Sequence, residues 1–317
     1  MTNRPRIGIT LGDPRGIGPE VTAAALGARA GIGVDFHLIG PSGLTEELDL
    51  RRLGEWDAIG EWRADGGGRL AGELSARAVE RAVELATAGR VDGIVTAPIS
   101  KAALSAAGYP YPGHTEFLQA LAAAADVTMM MSAERTPLGG PIRLALLTTH
   151  VPLRDVPDLL DVELVVRRTR IALRALRDWW GIPRPRVAFA GLNPHAGEGG
   201  LFGREEAELF APALDRLSAD PAVDVLGMFP ADTVFRQTIE GVADLVVTPY
   251  HDVGLAVLKT IARDEGVNVT AGLPFPRTSP DHGTAIDIAG TGTADPGAMG
   301  AAIDLCIRFS NAVVTIP

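Results

Sequence analysis

The sequence predicts a parallel α/β architecture with helices covering both faces of the sheet. Two observations predict it. Short apolar runs of strand length alternate with segments of helical period nearly throughout the 317 residues. In addition, Asp13, Lys101, His150, His195, Asp232 and His251 each follow the C-terminal end of a predicted strand. That edge is where open parallel sheets bind their ligands.

Arg6 to Leu11 is an apolar run ending in Gly12-Asp13-Pro14, a strand followed by a turn. Pro19-Glu20-Val21 opens a helix with proline in its first turn. Val34 to Gly40 is a second strand, and His37 in its middle is read as structural. Residues 41–72 are weakly patterned and are read as helix and loop. Ser75 to Ala88 is an amphipathic helix with Gly89 near its C-cap. Val91 to Thr96 is a buried strand, and helices follow over 100–106 and 114–124. Val127 to Met131 and Arg143 to Thr148 are strands, and Leu160 to Trp180 is a long helix. Arg186 to Gly191 is a strand, Glu205 to Ala219 a helix, and Val223 to Met228 and Leu245 to Thr248 are strands. A helix from Pro296 to Asn311 closes the pattern.

Composition narrows the function classes. Hydrophobic residues make up 46% and charged residues 21%, enough for one large or two moderate globular domains. A net charge of −10 argues against a general nucleic-acid binder, while still allowing a local basic pocket for an anionic substrate. The single cysteine, Cys306, permits no intrachain disulfide and no cysteine metal cage, which fits a reducing cytoplasm. The N-terminus lacks a signal-peptide apolar region, and no run approaches the ~18 apolar residues of a membrane span.

The stretch from Thr248 to Gly292 is polar, rich in Gly and Pro, and too long for a plain connector. It is read as a functional segment, because apolar pieces keep returning in it. It carries His251, Asp252, Lys259, Asn268, Arg277, His282 and Asp287. Three histidines, His150, His195 and His251, are candidates to share one divalent metal, although spacings of 45 and 56 residues match no local metal motif. Separate polar loop residues are the competing reading. Asp232 and Asp252 are candidate orienting carboxylates, or caps of the helices that follow. Gly113-His114-Thr115-Glu116 opens a helix whose N–H groups can hold a phosphate or carboxylate, or it is a plain cap. Lys259, Asn268 and Arg277 are a candidate anion clamp, or solvated surface groups. The Gly12–Glu20 segment is neither a Rossmann fingerprint nor a P-loop. The small residues around His282, Gly283, Thr284 and Asp287 would let a flat ligand approach the backbone.

Together these segments resemble the 4-hydroxythreonine-4-phosphate dehydrogenase family. The motifs are Ile9–Glu20, Tyr111–Leu118, Thr148–Val156, Gly191–Gly200, Phe229–Phe235, Tyr250–Lys259 and Gly266–Gly290. The resemblance implies a two-domain isocitrate/isopropylmalate dehydrogenase-like fold with an interdomain cleft. It implies a homodimer with the active site at the subunit interface, one divalent metal per site (zinc, cobalt or magnesium) and NAD or NADP as cofactor. By position, His150, His195 and His251 match the metal ligands. His114, Thr115, Lys259, Asn268 and Arg277 match the substrate contacts, and His282 to Asp287 match the loop against the adenosine of the cofactor. The expected domains are 1–127 with 263–317, and a middle domain 128–262 carrying the histidines and the dimer interface.

The chain departs from the family pattern at Val253, where glutamine is usual, and at Arg15, where a small residue is common. The implied reaction is metal- and NAD-dependent oxidation of 4-phosphohydroxy-L-threonine to 2-amino-3-oxo-4-(phosphooxy)butanoate, in pyridoxal phosphate biosynthesis. That product decarboxylates to 3-amino-2-oxopropyl phosphate. Lys101, Asp232 and Asp252 are the candidates for handling the hydroxyl proton. The alternatives are a 4-phospho-D-threonate or 4-phospho-D-erythronate dehydrogenase of sugar-acid catabolism, and a non-catalytic phosphate-ligand binding protein on the same fold.

Overall fold

The computed structural model describes residues 4–44, 48–111 and 113–314. Pro112 of the Tyr111–Leu118 motif and the first three residues lie outside them. The first stretch holds strands β1 (Arg6–Thr10), β2 (Asp35–Ser42), β3 (Glu55–Glu61) and β4 (Gly93–Thr96). Its helices are α1 (Gly18–Gly27), α2 (Gly67–Thr87), α3 (Lys101–Ala106) and α4 (His114–Leu121). Next come β5 (Thr128–Ala133), β6 (Ile142–Leu146), α5 (Val162–Asp178), β7 (Arg186–Ala190), α6 (Ala211–Ser218), β8 (Asp224–Phe229), β9 (Leu245–Thr248), α7 (His251–Ile261) and β10 (Val267–Ala271). The chain finishes with β11 (Arg277–Pro280) and α8 (Gly297–Val314). It divides into two compact units: Met1–Asp126 with Leu273–Pro317, and Val127–Gly272.

In the first unit the strand order is β3-β2-β1-β4-β11, and these strands pair in parallel. The reason lies in burial. Ile7, Ile9, Ile94 and Val95 are fully enclosed, so these strands must be apolar on both faces. The helix α2 buries Leu74, Ala78, Val79, Ala82 and Leu85, a stripe at helical spacing. It starts at Gly67, upstream of the expected Ser75.

In the second unit the order is β10-β5-β6-β9-β7-β8. Here the fully parallel expectation is corrected. β5 pairs antiparallel with both β6 and β10, while β6, β9, β7 and β8 pair in parallel. The connection 134–141 between β5 and β6 is too short for a crossover helix, which leaves a hairpin as the available route. Met131, Leu144, Leu146, Ala188, Val246, Leu255 and Leu258 form the core of this unit, and Val253 packs against it. Helix α5 is capped by Asp161, which accepts from the Leu164 N–H at 2.6 Å.

Three further expectations are corrected. Residues 41–72 contain β3, a strand at the sheet edge in which Ile59 is the buried hydrophobe and charged residues fill much of the rest. The Thr248–Gly292 stretch is not one long loop: it contains α7, β10 and β11. β11 reads as polar because its buried face is satisfied by hydrogen bonds, such as Thr278 Oγ1 to the Ala302 carbonyl at 2.8 Å. The helix expected over Glu205–Ala219 opens with a wider π turn, Glu206–Phe210, before α6. Among the described residues, no helix is long and apolar enough to cross a membrane.

Candidate active site

In the first unit, polar side chains gather where the C-terminal end of β4 meets the start of β11. Arg277, on β11, is 1% exposed. Its Nε and Nη2 both donate to the Oγ1 of Thr96 on β4, at 3.2 and 2.6 Å. Burial strips water from this guanidinium and lowers its pKa to about 9.

Helix α4 begins beside it. Its N-cap, Gly113, provides no side-chain cap, so the amides of the first turn are open. The plain-cap reading of His114-Thr115 therefore does not describe this turn. Burial, and secondarily the positive Arg277, hold the His114 imidazole well below its usual range, so the ring is neutral at pH 7. His114 as a residue is only partly buried, yet its Nε2 is enclosed and has no hydrogen-bond partner. Thr115 follows it in the same open turn. Lys101 begins α3, whose N-cap Ser100 accepts from the Ala103 N–H at 3.2 Å. The Lys101 Cε would lie 3.8 Å from a Cβ on Gly113, so its ammonium arm runs past the mouth of α4.

The loop after β11 carries His282, Gly283, Thr284 and Asp287. It is pinned to the turn between β1 and α1. The Ile17 N–H donates to the Thr284 carbonyl at 2.9 Å, and a Cβ on Gly16 would sit 2.5 Å from that same oxygen. Further along, the Gly290 N–H donates to Glu20 Oε2 at 3.1 Å. Two polar atoms here are enclosed without partners: Glu20 Oε1 and His282 Nε2. Such orphaned atoms fit a ligand bearing hydroxyl groups. Arg15 lies in the same turn but is held back, its Nε and Nη2 donating to the fully buried Asp13 carboxylate at 3.0 and 2.6 Å. The charge at this departure position is therefore neutralised locally.

The second unit holds the three histidines. His150 follows β6, and its ring centroid lies 5.6 Å from that of His251, the first residue of α7. Asp252 does not cap α7. Its Oδ1 accepts from His251 Nδ1 at 2.7 Å, which fixes the ring. His195 is held differently. Residues 195–199 all adopt positive φ, and three of them (His195 at 54°, Ala196 at 53° and Glu198 at 44°) are not glycine. This left-handed turn is strained, and strain of this kind gathers at functional sites. Asn193 anchors it: its backbone N–H donates to Glu206 Oε1 at 2.7 Å, and its amide to Glu205 at 2.7 Å and Glu206 at 3.0 Å. His195 itself packs beside Phe202, with ring centroids 6.1 Å apart. Among the described residues, no three His, Cys, Asp or Glu side chains gather into a group able to hold a metal. The chain thus brings two of the three expected imidazoles together and does not add the third.

The remaining candidates are spread. Asp232 is exposed beyond β8, and Lys259 is exposed in the last turn of α7. Asn268 is part-buried on β10, opposite Met131. Val253 packs against the hydrophobic core, so the missing amide there is replaced by core packing. The sequence reading missed Thr96, Glu20 and Asn193. The strand-end position of Thr96 was the one available signal. The other two lie within motifs noted above, but nothing in them singles out the residue.

Comparison with known proteins follows the same lines. A family model described as "Pyridoxal phosphate biosynthetic protein PdxA" matches residues 46–306. The 4-hydroxythreonine-4-phosphate dehydrogenase of Burkholderia vietnamiensis is 43% identical, over 96% of this chain and 97% of its own length. A crystal structure of 4-hydroxythreonine-4-phosphate dehydrogenase from Klebsiella pneumoniae superposes with a TM-score of 0.83 at 40% identity, covering 97% of this chain and 98% of that one. Isocitrate dehydrogenase from Methylococcus capsulatus, at 14% identity and a TM-score of 0.53 over 98% of this chain and 88% of that one, shares the fold alone. The expected α/β fold class is borne out.

Proposed function

The chain belongs to the pyridoxal phosphate biosynthetic protein PdxA family, and from that premise we propose that it is a 4-hydroxythreonine-4-phosphate dehydrogenase. It oxidises the secondary alcohol of 4-phosphohydroxy-L-threonine with a nicotinamide cofactor, and the resulting β-keto acid loses carbon dioxide. The observation that carries the reading is the enclosed Arg277 guanidinium beside a neutral His114 and the open first turn of α4. That set matches a phosphate: the guanidinium supplies charge, the amides and Thr115 supply donors, and the neutral imidazole adds a hydrogen bond without a second buried charge. In this reading, the His282–Asp287 loop and Glu20 hold the ribose end of NAD or NADP. When bound there, the nicotinamide would supply the hydride acceptor.

Lys101, Asp232 and Asp252 are the groups assigned to the hydroxyl proton, and Lys259 and Asn268 to the remaining polar atoms of the substrate. The metal assignment to His150, His195 and His251 stays part of the proposal, supported by the His150–His251 pair and the Asp252 contact. A divalent ion held there would supply Lewis-acid polarisation. A homodimer with a shared site accounts for an incomplete set within one chain.

The test is NADH formation by metal-loaded and chelator-treated protein. The substrates offered are 4-phosphohydroxy-L-threonine, 4-phospho-D-threonate and 4-phospho-D-erythronate. Metal-dependent turnover of the amino acid, with both sugar acids poor, is the expected result. Preference for a sugar acid would overturn the biosynthetic reading, and silence on all three would overturn the enzymatic one.

A further inference from the structure

We propose that Thr96 is a positioning residue for anion capture, acting through Arg277. This rests on the reading that Arg277 takes the substrate phosphate. The two residues are 181 positions apart, on the adjacent parallel strands β4 and β11. The register pairs Arg277 with Ile94 and Thr278 with Val95, so Thr96 stands beyond Arg277 toward the C-terminal edge of the sheet. From there its hydroxyl meets the guanidinium edge-on and accepts from Nε and Nη2 together.

This geometry decides the guanidinium's orientation. An arginine side chain has four rotatable bonds, and holding it in one pose costs entropy. A fork locked along its Nε–Nη2 edge presents a fixed face, which is what bidentate phosphate recognition needs. Thr96 is itself fully buried and β-branched, so its side chain has little freedom to follow a wandering partner. It also carries no charge. A carboxylate in its place would compete with the phosphate for the guanidinium, whereas a hydroxyl helps to orient the cation without adding a negative charge. A hydrogen bond to a charged group of this kind supports an effect of about tenfold or more in binding. The neighbour of Thr96 on β1, Thr10, has an enclosed Oγ1 without a partner.

The experiment compares Thr96→Val, Thr96→Ser and Arg277→Ala in the full-length, metal-loaded enzyme. It measures kcat and KM for 4-phosphohydroxy-L-threonine and inhibition by inorganic phosphate. Thr96→Val keeps the shape and the β-branch. It is expected to raise KM and weaken phosphate inhibition together, by about tenfold, while kcat changes by less than about threefold. Thr96→Ser restores the hydroxyl and is expected to restore both constants. Should the valine variant not fold by circular dichroism, Thr96→Ala carries the same prediction. An unchanged KM in Thr96→Val with a raised KM in Arg277→Ala overturns the positioning role alone. An unchanged KM in Arg277→Ala overturns the phosphate assignment, and this inference with it. Equal loss in the serine and valine variants would also overturn it, because bulk rather than the hydroxyl would then be what matters.

Discussion

Replacing Glu134 by glutamine should destabilise the second unit in a pH-dependent way. Glu134 lies just past β5, where Arg143 donates to it through Nε at 2.9 Å and Nη2 at 2.7 Å. Ser132 Oγ and Trp180 Nε1 donate to its Oε1 at 2.7 and 2.9 Å. Burial alone pushes this carboxyl up, but the hydrogen bonds and charge of Arg143, with Ser132 and Trp180, outweigh it and hold the pKa at about 2, against an ordinary 4.5. A depression of that size corresponds to about 3 kcal/mol of folding free energy.

The folded-state value is the lower one, so the stabilisation is complete above pH 4.5 and disappears as pH falls toward 2. Glu134→Gln keeps the shape and removes the charge, leaving Arg143, with a side chain 10% exposed, facing a neutral amide. The expected loss at neutral pH is about 3 kcal/mol. The assay is urea unfolding of both proteins from pH 7 to pH 3, followed by the fluorescence of Trp179 and Trp180 with Trp56 and Trp62 replaced by phenylalanine. The stability gap should hold steady down to about pH 5 and fall below half by about pH 3. A gap under about 1 kcal/mol at neutral pH, or one as wide at pH 3 as at pH 7, would refute the reasoning.

Two other outcomes are expected. Gly16→Ala places a methyl 2.5 Å from the Thr284 carbonyl, so the loop after β11 must shift; NADH affinity should drop and stability should fall by about 1–3 kcal/mol, and unchanged titration and melting curves would refute it. Asp252→Asn removes the carboxylate that orients His251, and zinc affinity by calorimetry should weaken about 10- to 100-fold while the melting temperature of the metal-free protein stays put.

How legible the chain was depends on what each residue faces. The strands β4 and β9 could be read directly, because burial on both faces forces the apolar runs Gly93–Thr96 and Leu245–Thr248. β3 and β11 could not. One is an edge strand with water on its flank, and the other buries threonine, serine and arginine by satisfying them with hydrogen bonds. The direction of β5 escaped because a strand's composition does not say which way its neighbour runs. For the site, the strand-end rule pointed to Lys101, His150, His195 and His251; in the structure His150 follows β6, His195 lies in the turn after β7, and Lys101 and His251 are the first residues of α3 and α7. Partnerships were out of reach. Thr96 meets Arg277 only through strand pairing, and the Asn193–Glu206 anchor of the left-handed turn at His195 joins two segments whose contact no local pattern announces.

The first unit is assembled from both ends of the chain, and this sets the order of events on the ribosome. The second unit is contiguous and can fold as soon as residue 272 has emerged. The first cannot: β4 waits for β11, which is made about 180 residues later. At roughly 5–20 residues per second, the intervening stretch takes about 10–30 seconds to translate. Through that interval β4, wholly buried in the finished protein, has β1 on one edge but lacks β11 on the other and the helix α8 that will pack on it. An unpaired apolar edge of this kind is a template for aggregation. The nascent chain therefore has a period of exposure in which a holdase chaperone would matter most, and truncation before β11 should yield an insoluble first unit.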